Sequence, residues 1–222
     1  MRGQASVRAY ELIKRCIDLV GASVLLLLLS PLLAASAAAV KCSSPGPALF
    51  RQGRVGRGGK RFDILKFRTM RAGSAPGPLI TGAGDPRITG VGRVLRRWKL
   101  DELPQLVDVL RGEMSFVGPR PEVPRYVDMF PEEYQELLTV RPGLTDLASI
   151  AFRDEEAILG HARDAEGMYV REILPRKLAL SRSYVRRRSL RLDSYVVART
   201  VAAIVGWPKT SEIVLGASER SC

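Results

Sequence analysis

A chain of 222 residues has room for one hydrophobic core plus an appended element, and at that size the core needs no disulfides. A net charge of +12, from 35 Lys and Arg against 23 Asp and Glu, favours phosphate-bearing partners such as nucleic acid, anionic lipid, or nucleotide and phospholipid substrates, without choosing among them. Cys16, Cys42 and Cys222 are odd in number and scattered, which argues against a disulfide framework, and the single histidine, His161, has no Cys or His at ligand spacing, so no zinc site is expected.

The first element is oily. Between Asp18 and Lys41 lie 22 positions without a charge, enough at about 1.5 Å per residue to cover a hydrocarbon core about 30 Å thick. Pro31 stands near the middle, where it removes a helix hydrogen bond and its ring crowds the carbonyl of Leu27, so a bend is expected there. Ser30 can satisfy a backbone group that the bend frees. Lys14 and Arg15 precede the run; Lys41, Arg51, Arg54 and Arg57 follow it. Three readings compete: a kinked transmembrane anchor, a cleaved signal peptide ending in the small residues of ASAAAV, and a helix–break–helix that dips into one leaflet. Basic residues stay on the cytoplasmic side, and a straight span has to export one basic flank, which favours the turn-back. Asp18 lies at helical spacing from Arg15 and is expected to pair with it at headgroup level.

Further on, ALFRQ, the glycine-rich GRVGRGGKR and RFDILKF read as a β-hairpin with a basic turn suited to lipid headgroups. RAGSAPGPLITGAGDPRITG is loop-rich. VGRVLRRWKL and DELPQLVDVLRGEMS read as two helical segments, the latter apolar at Leu103, Leu106, Val109 and Leu110. FPEEYQELLTV is a helix with acidic residues in its first turn, RPGLTD a turn, and the remainder from Asp154 mostly helical. Its last part, LDSYVVARTVAAIVGW, suits either a membrane surface or the core. The expected fold class is α+β, mostly helical with a short hairpin, organised as a membrane segment over residues 1–41 and a second domain over residues 42–222 whose C-terminal amphipathic helices are candidates for the membrane interface.

Two motifs invite chemistry. GRVGRGGKR is not a nucleotide phosphate loop, because Lys60 is followed by Arg61 rather than Ser or Thr. KLDELPQL is more informative: Pro104 suits a first helical turn, which sets Asp101 and Glu102 at or just before a helix N-terminus. They read either as a cap with favourable dipole charge or as a carboxylate nucleophile and metal ligand close to phosphates. Arg93, Arg96, Arg97 and Lys99 supply positive charge upstream, or form an ordinary solvated face. In GPRP, Arg120 stands between Pro119 and Pro121, a stiff setting that serves phosphate gripping or a plain surface turn.

In chain order, Lys14-Arg15 with Asp18, Ser30-Pro31, KFRTM, LDELPQL, the MS and VGPRP motifs and RPG with its threonine form a series. From about Tyr10 to Arg199 it resembles the monotopic bacterial sugar transferases, the polyprenyl-phosphate hexose-1-phosphate transferases, in their minimal catalytic form without an added transmembrane bundle. The resemblance implies transfer of a sugar-1-phosphate from a nucleotide diphosphate sugar, usually a UDP-sugar, to polyprenyl phosphate at the cytoplasmic leaflet of the bacterial inner membrane, as the first membrane step of exopolysaccharide, O-antigen or glycoprotein assembly. It implies that the oily segment is re-entrant, broken at Ser30-Pro31 and anchored by Lys14, Arg15 and Asp18. It implies that Asp101 is the nucleophile and a ligand of Mg2+, releasing UMP and leaving a phosphosugar on its carboxylate, with Glu102 positioning a group or the metal. Arg96, Arg120 and Lys66 are implied phosphate contacts, and Pro119 and Pro121 shape the nucleotide pocket. Glu113 stands where aspartate is common; Asp146 and Ser149 stand where many relatives have glycine and glutamine, which leaves the sugar open. Membrane lipid is an expected partner, a homodimer is left open, and nucleic acid is not expected. A membrane-tethered nucleic-acid-binding or scaffold protein without catalysis is the alternative, supported by the charge and by RSYVRRRSLRL, but aromatics are only 6% and no stacking platform is evident.

Overall fold

The computed structural model describes residues 4–71, 73, 84–160 and 162–205; His161, Cys222 and most of RAGSAPGPLITGAGDPRITG lie outside them. The elements run α1 (Gln4–Leu28), α2 (Ser30–Ser43), β1 (Leu49–Val55), β2 (Arg61–Phe67), α3 (Gly90–Arg97), a 3-10 segment (Leu100–Gln105), α4 (Leu106–Arg111), β3 (Ser115–Val117), α5 (Pro124–Met129), α6 (Pro131–Leu137), β4 (Gly143–Thr145), α7 (Leu147–Ala151), α8 (Glu155–Gly160), α9 (Ala165–Met168), a π-helical turn (Tyr169–Ile173), α10 (Leu174–Arg187) and α11 (Leu190–Val205). The chain is mostly helical with one short antiparallel hairpin, as the patterning predicts.

α1 and α2 meet at the break anticipated at Ser30-Pro31. No single described helix is long and apolar enough to cross a membrane; Ser6–Leu28 and Ser30–Ser43 pass that test together, bent by 63°. The local chemistry is legible. Proline cannot donate to the preceding turn, and the Ser30 hydroxyl donates instead to the carbonyl of Leu27 at 2.8 Å. Leu12, Val20, Leu27 and Leu28 point outward from α1.

The base of α1 departs from expectation. Asp18 does not pair with Arg15. It is buried, and its Oδ1 accepts from the Ser115 hydroxyl at 3.1 Å and the Phe116 amide at 3.0 Å, at the start of β3. Arg15 instead donates to the carbonyls of Val109 (2.7 Å) and Leu110 (3.0 Å) at the C-terminal end of α4, where a cation complements the helix dipole. Lys14 reaches Asp193 of α11 at 2.8 Å, joined there by the hydroxyls of Tyr10 and Tyr184. Protein groups within the fold outcompete the neighbour one helical turn away because the burial there demands full satisfaction of each polar atom.

β1 and β2 pair from Leu49↔Phe67 to Val55↔Arg61. Their turn uses Gly58 and Gly59 at positive φ (69° and 75°), a conformation that side chains disfavour. The Gly58 amide donates to the carbonyl of Leu138, so the turn docks on the end of α6. RPGLTD is not only a turn: Gly143–Thr145 forms β4, parallel to β3 with Ser115↔Gly143 and Val117↔Thr145, and α5 and α6 make the crossover that a parallel pair requires. The second expected helix also divides, with residues 100–105 in 3-10 geometry and only Leu106–Arg111 as α-helix.

Among the described residues the core has three apolar clusters. The largest joins Val117, Tyr126, Leu137, Leu174 and Val196. A second, with Ala22, Ile64, Leu106 and Val109, binds α1, β2 and α4 together. A third, with Val40, Phe67 and Leu95, fastens α2 to β2 and α3. In α11, Val196 is fully buried against the core, while Tyr195, Val197, Val201 and Val205 face outward.

Candidate active site

The two inner clusters surround the 3-10 segment that carries Asp101 and Glu102. α3 ends at Trp98, and Lys99 turns the chain through a left-handed conformation (φ 56°) to begin that segment. A non-glycine residue there costs of the order of 1–3 kcal/mol. The reversal brings Arg96 within electrostatic reach of Asp101.

Glu102 is the hub. Its carboxylate accepts from Lys66 of β2 at 3.1 Å and from both terminal nitrogens of Arg120, the Nη1 contact measuring 3.3 Å. Burial by itself raises a carboxyl pKa, but Arg120 and then Lys66 outweigh it and hold Glu102 well below the usual range. In return Glu102 keeps Arg120 firmly charged, while Lys66 is pulled down by burial, which Glu102 only partly offsets.

Asp101 contrasts with its neighbour. It is 8% exposed, and its Oδ1 has no hydrogen-bond partner. Burial, then the adjacent Glu102 charge, raise its pKa against the pull of Lys66, Lys99 and Arg96. One carboxylate is thus saturated with cations and the other is left with an open oxygen beside them. That arrangement leaves Asp101 as the group with a free lone pair for a phosphorus or a cation, and Glu102 as the counter-ion that arranges two donors.

The other expected residues are placed as follows. Arg96 donates from Nε to Thr69 Oγ1 at 3.0 Å and from Nη1 to Glu156 at 3.1 Å. Thr69 is fixed because its carbonyl accepts from the Thr89 amide at 3.0 Å, and Thr89 in turn caps α3 at Gly92. Gly92 lies so close to Thr69 that a Cβ there would collide with the Thr69 carbonyl. Arg97 lies over the Trp98 ring, 5.9 Å from its centroid. Pro119 and Pro121 line a shallow depression of about 10 Å³ with Val55, Arg120 and Tyr134, which includes none of Lys66, Asp101 and Glu102. A second depression of similar size lies against Lys14, Arg15 and Arg141 and likewise includes none of the three. Lys14, Arg15, Asp18, Ser30 and Pro31 are not at the carboxylates; they shape the helix break and tie α1 to the domain, and Arg15 grips the far end of α4, whose preceding turn carries Asp101.

Several supporting residues escape sequence reasoning. Arg54 donates to the Pro121 carbonyl and to Glu122, both at 3.1 Å, and Tyr169 donates to the other oxygen of Glu122 at 2.8 Å. Asp108, fully buried, accepts from the Leu65 amide at 2.9 Å, next to Lys66. Burial pushes its carboxyl up to about 6. Asp146 is fully buried as well, with contacts to Ser149, Ser181 and Arg120. Apart from the Asp146–Ser149 cap, these contacts join residues distant in sequence, so no local spacing signals them.

Among the described residues no three His, Cys, Asp or Glu side chains gather as a metal cage. The residues present nevertheless fit Mg2+, which takes one or two protein carboxylates and completes its shell with waters and substrate phosphates. The open Oδ1 of Asp101 is the free donor for it.

The sequence that builds this site has relatives among known proteins. The chain is 43% identical over 202 residues to a UDP-glucose:undecaprenyl-phosphate glucose-1-phosphate transferase of Caulobacter vibrioides, covering 89% of this chain and 71% of that one. It is 38% identical to a UDP-N-acetylgalactosamine-undecaprenyl-phosphate N-acetylgalactosaminephosphotransferase of Aeromonas hydrophila, over 88% of this chain but 44% of the relative. It is 35% identical to the exopolysaccharide production protein ExoY of Rhizobium meliloti, over 86% and 84% of the two chains. The sequence profile described as bacterial sugar transferase matches residues 9–206, and with a match of that extent the chain belongs to the bacterial sugar transferase family.

Proposed function

We propose that this chain is a phosphoglycosyl transferase that moves a sugar-1-phosphate from a UDP-sugar to undecaprenyl or another polyprenyl phosphate by way of a phosphosugar on Asp101. The observation that carries this reading is the unpartnered, buried Oδ1 of Asp101 beside a Glu102 already saturated by Lys66 and Arg120. The relatives named for UDP-glucose and UDP-N-acetylgalactosamine transfer support the donor class, and the differences among their sugars leave the sugar itself to experiment.

In the first half-reaction an Asp101 carboxylate oxygen attacks the sugar-bearing phosphorus of the donor. The bond from that phosphorus to the bridging oxygen breaks, and the bridging oxygen leaves with UMP. In the second, a phosphate oxygen of the polyprenyl acceptor attacks the same phosphorus. The bond to Asp101 breaks, restoring the carboxylate and giving a polyprenyl diphosphate sugar. The covalent stage keeps two anionic phosphates from having to approach each other in one step. Arg120 and Lys66, already aligned on Glu102, and Arg96 beside Asp101 supply the positive charge that the phosphoryl oxygens need. Pro119 and Pro121 stiffen the turn that carries Arg120, against which part of the nucleotide lies. Mg2+, held by Asp101 and the diphosphate, would offset charge on the transferring group when bound.

The bent α1–α2 pair is read here as re-entrant in the cytoplasmic leaflet of the inner membrane, which brings the site beneath the headgroups where the acceptor phosphate lies. The 63° bend and the Ser30–Leu27 hydrogen bond support this. The native Cys16 and Cys42, both exposed, report on it: a membrane-impermeant maleimide reaches both from the cytoplasmic side, and labelling from opposite faces rules out the turn-back. For the reaction, purified protein with polyprenyl phosphate, Mg2+ and a panel of UDP-sugars should release UMP with one or two donors. Asp101→Asn should abolish release while remaining folded in membranes, and full turnover by that variant removes the covalent route.

A further inference from the structure

Asp146 has no role in the chemistry above, yet it is a fully buried carboxylate, and no ion pair to it forms among the described residues. Its Oδ1 accepts from the Ser149 amide at 2.7 Å, capping α7. A neutral Asn or Ser caps as well, so a cap alone does not account for a buried charge that is costly to desolvate. Its Oδ2 explains more: it accepts from the Ser181 hydroxyl at 3.1 Å and from the backbone amide of Arg120 at 3.4 Å. Pro119 and Pro121 have no amide hydrogen, so Arg120 carries the only N–H of that tripeptide, and Asp146 takes it. The neighbouring ties run the same way. Gly118 donates to the carbonyl of Thr145 at 3.1 Å, Gly143 donates to that of Pro119 at 2.9 Å, and Arg54 holds the carbonyl of Pro121. The whole turn is pinned to the β4–α7 junction on one side and to β1 on the other.

We propose that Asp146 is a positioning residue for Arg120: its carboxylate anchors the one free amide between two prolines and so sets where the guanidinium meets Glu102 and the donor phosphate. The negative charge also strengthens that amide contact and supports the charge on Arg120. This inference rests on the proposed reading of Arg120 as a phosphate contact.

A double-mutant cycle in the full-length, membrane-purified enzyme tests it, with kcat and donor KM read from UMP release. Asp146→Asn keeps the α7 cap but presents an amide to Ser181 and Arg120. It should lower kcat/KM for the donor about 10- to 100-fold, the usual cost of losing an outer partner that orients a ligand group. Arg120→Ala should cost at least as much, and Asp146→Asn should cost nothing further in the Arg120→Ala background. Should Asp146→Asn not fold, Asp146→Ser retains the cap and withdraws the carboxylate from Arg120, and the same cycle applies. Losses that multiply across the cycle overturn the proposal while leaving Arg120 as a phosphate contact. An Arg120→Ala enzyme with unchanged kcat/KM overturns that reading of Arg120 and this proposal with it.

Discussion

Glu102→Gln separates the roles assigned to the two acidic neighbours. The substitution keeps the side-chain volume and removes the charge that Lys66 and Arg120 share, leaving two cations in a pocket where the Glu102 side chain is 13% exposed. Removing one partner of a buried ion pair typically costs about 3–5 kcal/mol, because an uncompensated charge stays behind. At about 2–4 °C per kcal/mol for a domain of this size, the midpoint should fall by about 6–20 °C. The pH sign follows from the depressed carboxyl. Its stabilisation is present above the unfolded value of 4.5 and is lost as pH falls through the folded one, well below 4.5. The gap between parent and variant should therefore be flat from pH 8 to about 5 and close only in more acid solution. Thermal unfolding in nanodiscs by circular dichroism at several pH values measures this. A variant that melts within about 2 °C of the parent at pH 7, or a gap that widens from pH 6 to 8, refutes the hub role of Glu102.

Asp108→Asn should stabilise the protein in alkali. A carboxyl raised from 3.8 to about 6 is worth about 3 kcal/mol of stability that is complete below 3.8 and gone above about 6, so the midpoint of the variant should exceed the parent's at pH 8 and lose that advantage by pH 4. Asp101 attacks as the anion, and burial and Glu102 raise its pKa. The pH profile of kcat/KM should therefore decline on the acid side at a pH above the ordinary aspartate value, and a decline that follows an unperturbed aspartate contradicts the assignment. Gly92→Ala drives a methyl into the Thr69 carbonyl and displaces the partner of Arg96. It should lower kcat/KM about 10-fold or more, the scale seen when an outer partner is lost, and a fully active variant separates Arg96 from the site.

What was legible in the sequence was local. Pro31 in an apolar run announces a break, the Gly58-Gly59 pair announces the hairpin turn, and Asp101-Glu102 before Pro104 announces an acidic pair at a helix start. The misses came from long-range competition. Asp18 and Arg15 face each other in sequence spacing, but Ser115, Phe116 and the carbonyls ending α4 offer each a better buried partner. β4 is three residues long and exists only because β3 lies beside it. Lys66 and Arg120 read separately as phosphate contacts; their convergence on Glu102 depends on packing β2 and the GPRP turn against the same 3-10 segment. Asp146 stands out in the sequence only as a departure from many relatives and Asp108 not at all, because their amide partners lie 26 and 43 positions away.

The most direct test is mass spectrometry of the enzyme after rapid mixing with its UDP-sugar donor and no acceptor. The account predicts a peptide spanning position 101 heavier by one sugar phosphate, formed together with one equivalent of UMP and lost when polyprenyl phosphate is added. Normal product yield through a rapid-quench time course in which that peptide never gains mass would contradict it.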